Sequence, residues 1–376
     1  MRMRAAVVAV AAAGAIAASP DAAAFKLQAV GAIDKSPSGS ASRQAKGFLS
    51  LFNSDVHERI TRQAYAKAGV PLTDDVIAGV RWNDNPPAVR LGPLAGSCDT
   101  RCWISMLRID RSALEVLSRR EQTIPTLRSH FGDMQFLHAM ASHAGESALD
   151  TREKSMRWAE FSYRVARGEI EGRANVFELR NAGSTMDAAT RDWVSSLFRA
   201  PAKKLWRVQD VFLPKAGELR LVAFGTFLHL VEDSYSASHV QRVTRRYQAN
   251  GCPSYDAGDP VLEFRTYLGQ DTEKHAVCDD APDWLESPRA GSPIDVLAEL
   301  VRAYADGRDW PYVKAILEAK VFRMAERAAA ARPGACFESH PDAALAESPA
   351  HALTALDPAC FAPVPGAEQP AAPPRR

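Results

Sequence analysis

The sequence has almost no surplus of charge: 46 lysines and arginines face 45 aspartates and glutamates, leaving +1 with histidine neutral. Chains that capture nucleic acid or anionic membrane by broad electrostatics carry clustered cations, so the balance argues against that mode, although it does not exclude a local basic groove. Long apolar runs are missing after Ala24, and no later segment is expected to span a bilayer. Hardly any stretch alternates polar and apolar residues with β-branched side chains, which argues against a sheet-based fold. There is no Gly-x-Ser-x-Gly elbow for an α/β serine hydrolase and no Gly-x-x-x-x-Gly-Lys-Ser/Thr loop for nucleotide phosphates. No internal repeat appears at solenoid periods.

What is present begins with a basic Met1-Arg-Met-Arg4, an apolar run from Ala5 to Ala18, and Ala22-Ala-Ala24 in small-x-small form. Residues 1–24 are therefore predicted to be a cleaved secretory signal, and the mature protein is expected in the periplasm or outside the cell. Residues 25–50 are rich in Ser, Gly, Ala and Lys and read as a flexible arm. A helical domain is expected over 51–335, followed by a Pro/Ala-rich tail over 336–376. The six cysteines fall as Cys98/Cys102, Cys252/Cys278 and Cys336/Cys360, which in an exported chain invites three local disulfides.

From His57 onward the apolar spacing is helical, with Ile60, Ala64 and Ala68 at i, i+4 and i+8 and Asp55 as a candidate N-cap. Further helices are predicted at about 101–119, 125–143, 148–167, 186–199, 215–236, 294–305 and 310–331. Gly168 is the expected C-cap of the helix that begins near Leu149.

The chemistry concentrates in Phe224-Gly-Thr-Phe-Leu-His-Leu-Val-Glu-Asp-Ser-Tyr-Ser-Ala-Ser-His239. His229 and Asp233, at i and i+4, share a helix face and can hold one metal ion between them. The flanking Phe227, Leu228, Leu230 and Val231 predict burial, and a buried ionised aspartate needs a strong partner. A His–Asp hydrogen bond in a helical core is the simpler alternative. His239, past a Ser-rich segment able to turn the chain back, favours the metal. His275 and Asp279 repeat the i, i+4 spacing, either as ligands or as part of a solvated polar loop; a Cys252–Cys278 disulfide would restrain them. Upstream lie His57 in a first helical turn, Asp84 in Trp82-Asn-Asp84-Asn-Pro-Pro87, and His130 and His138, eight residues apart.

This order of residues resembles the zinc-dependent phospholipase C and single-strand nuclease superfamily, and His229-x-x-x-Asp233-x-x-x-x-x-His239 matches its central motif in both spacings. The resemblance implies an all-α, single multi-helix domain with the metal cluster in a cleft between helices. It implies two or three zinc ions held by His57, Asp84, either His130 or His138, His229, Asp233, His239, His275 and Asp279. Asp84 would bridge two metals and orient or deprotonate the attacking water. The implied activity is hydrolysis of a phosphodiester, in a phospholipid headgroup or in single-stranded nucleic acid; the neutral overall charge leans toward lipid.

Two departures stand out. The family uses a mature amino-terminal tryptophan as a metal ligand, whereas predicted cleavage leaves Phe25 here, and the last pair ends in Asp279 instead of glutamate. A rival of another class is a zinc-stapled helical protein that binds a partner without catalysis. Its metal site would ordinarily be a closed four-ligand set, often with cysteine.

Overall fold

The computed structural model describes residues 55–84, 86, 125–181, 186–198, 207–212, 217–244, 246–270, 272–279 and 282–338. The predicted signal segment, arm and helix 101–119, the pair Cys98/Cys102, and Cys360 with the tail after residue 338 lie outside the described residues.

The described chain is mostly helical. Its α-helices are α1 (Val56–Ala68), α2 (Asp74–Val80), α3 (Pro125–Phe131), α4 (Ala148–Arg167), α5 (Ala188–Leu197), α6 (Val208–Phe212) and α7 (Leu219–Asp233), followed by α8 (Thr272–Asp279), α9 (Asp283–Glu286), α10 (Pro293–Ala305) and α11 (Trp310–Ile316). Between α7 and α8 a short antiparallel pair, β1 (Val240–Arg242) and β2 (Val261–Phe264), forms the one sheet among the described residues, with a register shift between Gln241 and Arg242. No described helix is long and apolar enough to cross a membrane.

Helix α7 lies at the centre because its sequence is apolar on every side, the pattern of a helix enclosed by others. Every residue from Val222 to Asp233 is buried. Helices α2 and α4 pack against it, and α10 packs on α1. The contact with α2 is backbone on backbone: a Cβ added at Gly79 would lie 2.1 Å from the Val222 carbonyl oxygen, and one at Gly225 would lie 2.2 Å from that of Val76. Only glycine permits this approach. The long helix α4 covers the other side of α7; Ser147 caps its start by accepting from the Asp150 amide, and Gly168, at φ 72°, ends it in the left-handed region.

Two predicted helices are shorter than their sequence pattern suggested. The span 125–143 breaks after Phe131, where Arg128 donates to both Asp133 carboxylate oxygens at 2.8 and 2.9 Å, and resumes as a 3₁₀ turn over Gln135–His138. The span 310–331 passes into a π turn at Leu317–Val321 and then leaves helix altogether. Residues 323–332 instead run beside β2, with Val261 N donating to Arg323 O at 2.7 Å and Ala329 N to Leu262 O at 2.7 Å. The unpaired edge of β2 overrides the helix propensity of the alanine-rich stretch. Asp55 precedes α1 but makes no side-chain cap.

Replacing Gly225 by alanine should force α2 and α7 apart and cost about 1–3 kcal/mol, as overpacking typically does. Chemical denaturation of the variant checks this.

Candidate metal centre

The residues singled out in the sequence converge on one small cavity of about 40 Å³, lined by His57, Asp84, Ser129, His130, His138, Met140, Asp233, His239, Tyr267, His275 and Asp279. His229 stands immediately behind it. Six segments deliver these groups, α3 among them with His130. Helix α1 brings His57 in its first turn. The turn after α2 brings Asp84, fixed because the Trp82 indole donates to Val211 O at 3.0 Å and the Asn83 amide donates to Leu137 O at 2.7 Å. The 3₁₀ turn ends on His138 and is followed by Ala139 at φ 52°, the one described non-glycine residue with positive φ. Helix α7 and the chain after it carry His229, Asp233 and His239, and α8 carries His275 and Asp279.

Asp233 is the hub, at 1% exposure. Its Oδ2 lies 2.8 Å from His138 Nδ1 and 2.8 Å from His229 Nε2, while Oδ1 lies 3.3 Å from His57 Nε2 and 3.4 Å from His239 Nδ1. Asp84 reaches His229 Nε2 at 3.7 Å and His138 Nδ1 at 4.0 Å. On the far side of His239, Asp279 Oδ1 lies 3.5 Å from His239 Nε2 and Oδ2 lies 3.7 Å from His275 Nε2. The Ser-rich segment turns the chain as expected: Ser236 N donates to Asp233 O and His239 N to Ser236 O. Two buried arginines hold that turn from outside, Arg242 donating through Nε and Nη2 to Ser234 O at 3.0 and 2.8 Å and Arg265 through Nε to Ala237 O at 3.0 Å.

The structure places both His130 and His138 at the cavity, in different settings. His138 belongs to the carboxylate cluster, whereas His130 lines the cavity 4.9 Å from the His138 ring, with Nδ1 2.9 Å from Ser129 Oγ. The polar-loop alternative for His275 and Asp279 is replaced by α8, which puts both on one helix face. The Cys252–Cys278 disulfide is present, with Cα atoms 5.6 Å apart, and ties this helix down between its two candidate ligands. Cys336 is also disulfide-bonded. Glu232 is a residue that sequence reasoning passed over. Its Oε2 lies 3.0 Å from His57 Nδ1 and its Oε1 accepts from Thr61 Oγ1 at 2.6 Å. Beside Asp233 in a helix it reads as an ordinary polar position; its complete burial was the missing signal.

Three groups have ligand atoms within 4.8 Å of one another: His57, His229 and Glu232; Asp84, His138 and His229; and His239, His275 and Asp279. Each could hold a metal ion. The fit is supported by two buried atoms that lie 3.4 Å apart within the cluster, His239 Nδ1 and Asp233 Oδ1, neither of which makes a hydrogen bond among the described residues. Such atoms are rare in folded proteins because each forfeits its hydration. An ion would satisfy the lone pairs that face the cavity. No family model, curated protein or solved structure matches the chain.

Electrostatics of the metal-free cluster are uneven. Burial opposes charge on His57, but Asp233 and the hydrogen bond to Glu232 outweigh it and hold the imidazole well above its ordinary pKa. His229 is likewise raised, burial being overcome chiefly by Asp233. Burial wins at His239, which falls to about 4, and at Asp84, whose carboxyl is raised against the pull of His229, His57 and His138. For Asp233, burial is outweighed by His229, His239 and His57, and its pKa lies well below the carboxylate range. Asp279 is lowered against burial by His239 and His275.

Metal ligation requires neutral imidazole. In the metal-free protein His57 and His229 hold a proton more tightly than a free imidazole does, whereas burial keeps His239 neutral. Metal added at pH 7 should therefore release protons, and affinity should climb as pH rises through the raised imidazole values. Proton release in unbuffered solution, followed by pH-stat, checks the sign. His138→Ala should lose metal that His130→Ala retains, measured by elemental analysis.

Proposed function

We propose that the chain is an exported zinc-dependent phosphodiester hydrolase, phospholipase C-like in its chemistry. The observation that supports this most is Asp233, a buried carboxylate reached by four imidazoles, with Asp84 and Asp279 on either side of the shared cavity. The candidate ligands are imidazoles and carboxylates with no thiolate, which suits an open catalytic zinc site better than a closed structural one. Three ligand groups, two of which share His229, are compatible with two or three ions. The likeness of ligand order to the phospholipase C and nuclease superfamily points the same way.

Zinc bound here would supply a Lewis acid to the non-bridging phosphate oxygens and lower the pKa of bound water. The protein's own part follows from exposure. Asp84 keeps 35% of its side chain accessible, against 19% for Asp279 and 1% for Asp233. Asp84 is thus the carboxylate that an entering substrate and its water meet, and it can orient that water and accept its proton. Asp233 is shut away from solvent and serves to hold the imidazoles. The near-neutral charge favours a lipid headgroup over a nucleic-acid strand.

The purified mature protein should contain two or three zinc ions and hydrolyse bis-nitrophenyl phosphate. His229→Ala and Asp233→Ala should each lower turnover by more than roughly 100-fold, since removing a residue of the cluster itself should cost more than the roughly 10–100-fold typical of an outer partner. One tightly held zinc with no turnover would instead favour the zinc-stapled binding protein. Release of phosphocholine from lipid, compared with release of nucleotides from single-stranded DNA, separates the phospholipase from the nuclease.

A further inference from the structure

His239 and His275 approach each other through their Nε2 atoms, 3.4 Å apart, beside the Asp279 carboxylate. Behind them stands Gln270, buried at 3% exposure. Its Nε2 donates to Ser238 O at 2.9 Å and to Pro333 O at 2.9 Å. A primary amide has two N–H donors, and here both meet carbonyl oxygens, so which end of the side chain is nitrogen follows from its surroundings. The carbonyl Oε1 consequently faces His275 Nδ1, with which it is hydrogen-bonded.

A carbonyl oxygen can only accept. His275 Nδ1 must therefore carry a proton, so that in the neutral imidazole the lone pair is on Nε2, the nitrogen beside His239 and Asp279. Ser238, whose carbonyl takes the other end of the amide, immediately precedes His239. One neutral side chain thus sets the tautomer of one imidazole and the backbone position of the other. Its counterpart across the cluster is different, since His57 Nδ1 leans on the Glu232 carboxylate at 3.0 Å. A carboxylate behind an imidazole makes it a stronger metal ligand than an amide does, because it stabilises the partial positive charge that ligation induces.

We propose that Gln270 is the positioning residue that fixes His239 and His275 as a ligand pair, and that its neutrality makes their metal position the weaker, exchangeable one of the cluster. The proposal rests on the metal-binding reading above.

Zinc titration of the metal-free full-length chain against a competing chromophoric chelator tests it. The wild type should show one equivalent released before the rest. In Gln270→Leu that equivalent alone should weaken by roughly 10–100-fold, the usual cost of losing an outer partner. Unchanged affinity, or equal weakening of every equivalent, would overturn the proposal. A second measurement does not depend on the variant folding: long-range ¹H–¹⁵N correlation spectra of the metal-free wild type should show His275 protonated at Nδ1. Protonation at Nε2 would sink the positioning role. A chain that binds no zinc would remove the metal reading and the exchangeable position with it, and the His275 tautomer would then report on the amide contact by itself.

Discussion

A single ionised carboxylate, Asp233, sits at 1% exposure at the C-terminal end of the wholly buried run of α7. Burying such a charge without compensation costs several kcal/mol, and the surrounding architecture supplies the compensation. Each of its four imidazole neighbours arrives from a different direction: the start of α1, the end of a 3₁₀ turn, one turn back along α7, and the chain that doubles back after it. The Gly79–Gly225 contact, the indole and amide anchors of Trp82 and Asn83, and the guanidinium groups of Arg242 and Arg265 all keep these segments within reach of that carboxylate or of its neighbours.

The central motif was legible in the sequence because two properties coincide there. His229 and Asp233 share a helix face by spacing alone, and the apolar residues around them announce that the face is inside. The C-terminal bound of α4 at Gly168 was equally readable, since caps are local chemistry. What sequence could not deliver depends on contacts between distant segments. His138 reaches the carboxylates of Asp233 and Asp84 because the chain breaks after Phe131, a break stabilised by Arg128 closing on Asp133. The sequence of α8 is equally compatible with a ligand site and a polar loop, and neither Glu232 nor Gln270 carries any local mark of its role. The alanines after Val321 favoured helix intrinsically and were recruited by the edge of β2.

The cluster is also asymmetric in how it is backed. The His57 side rests on a carboxylate that is itself held by Thr61, whereas the His275 side rests on an amide and on a helix restrained by the Cys252–Cys278 bond. Charge thus accumulates toward α1 and mechanical restraint toward α8. Asp84, raised in pKa by burial yet partly open to solvent, lies between the two and faces the cavity.

The hydrogen bond from His57 to Glu232 joins residues 175 positions apart in the chain. Contacts of that range close a very long loop, and folding rates fall as such contacts come to dominate a topology. The ligand cage is consequently incomplete in any nascent chain that has not yet emitted α7 and α8, however well α1 has formed. A chain threaded unfolded through a membrane would reach its destination with no cage to fill, so whatever ion it finally holds would be drawn from the compartment in which it folds.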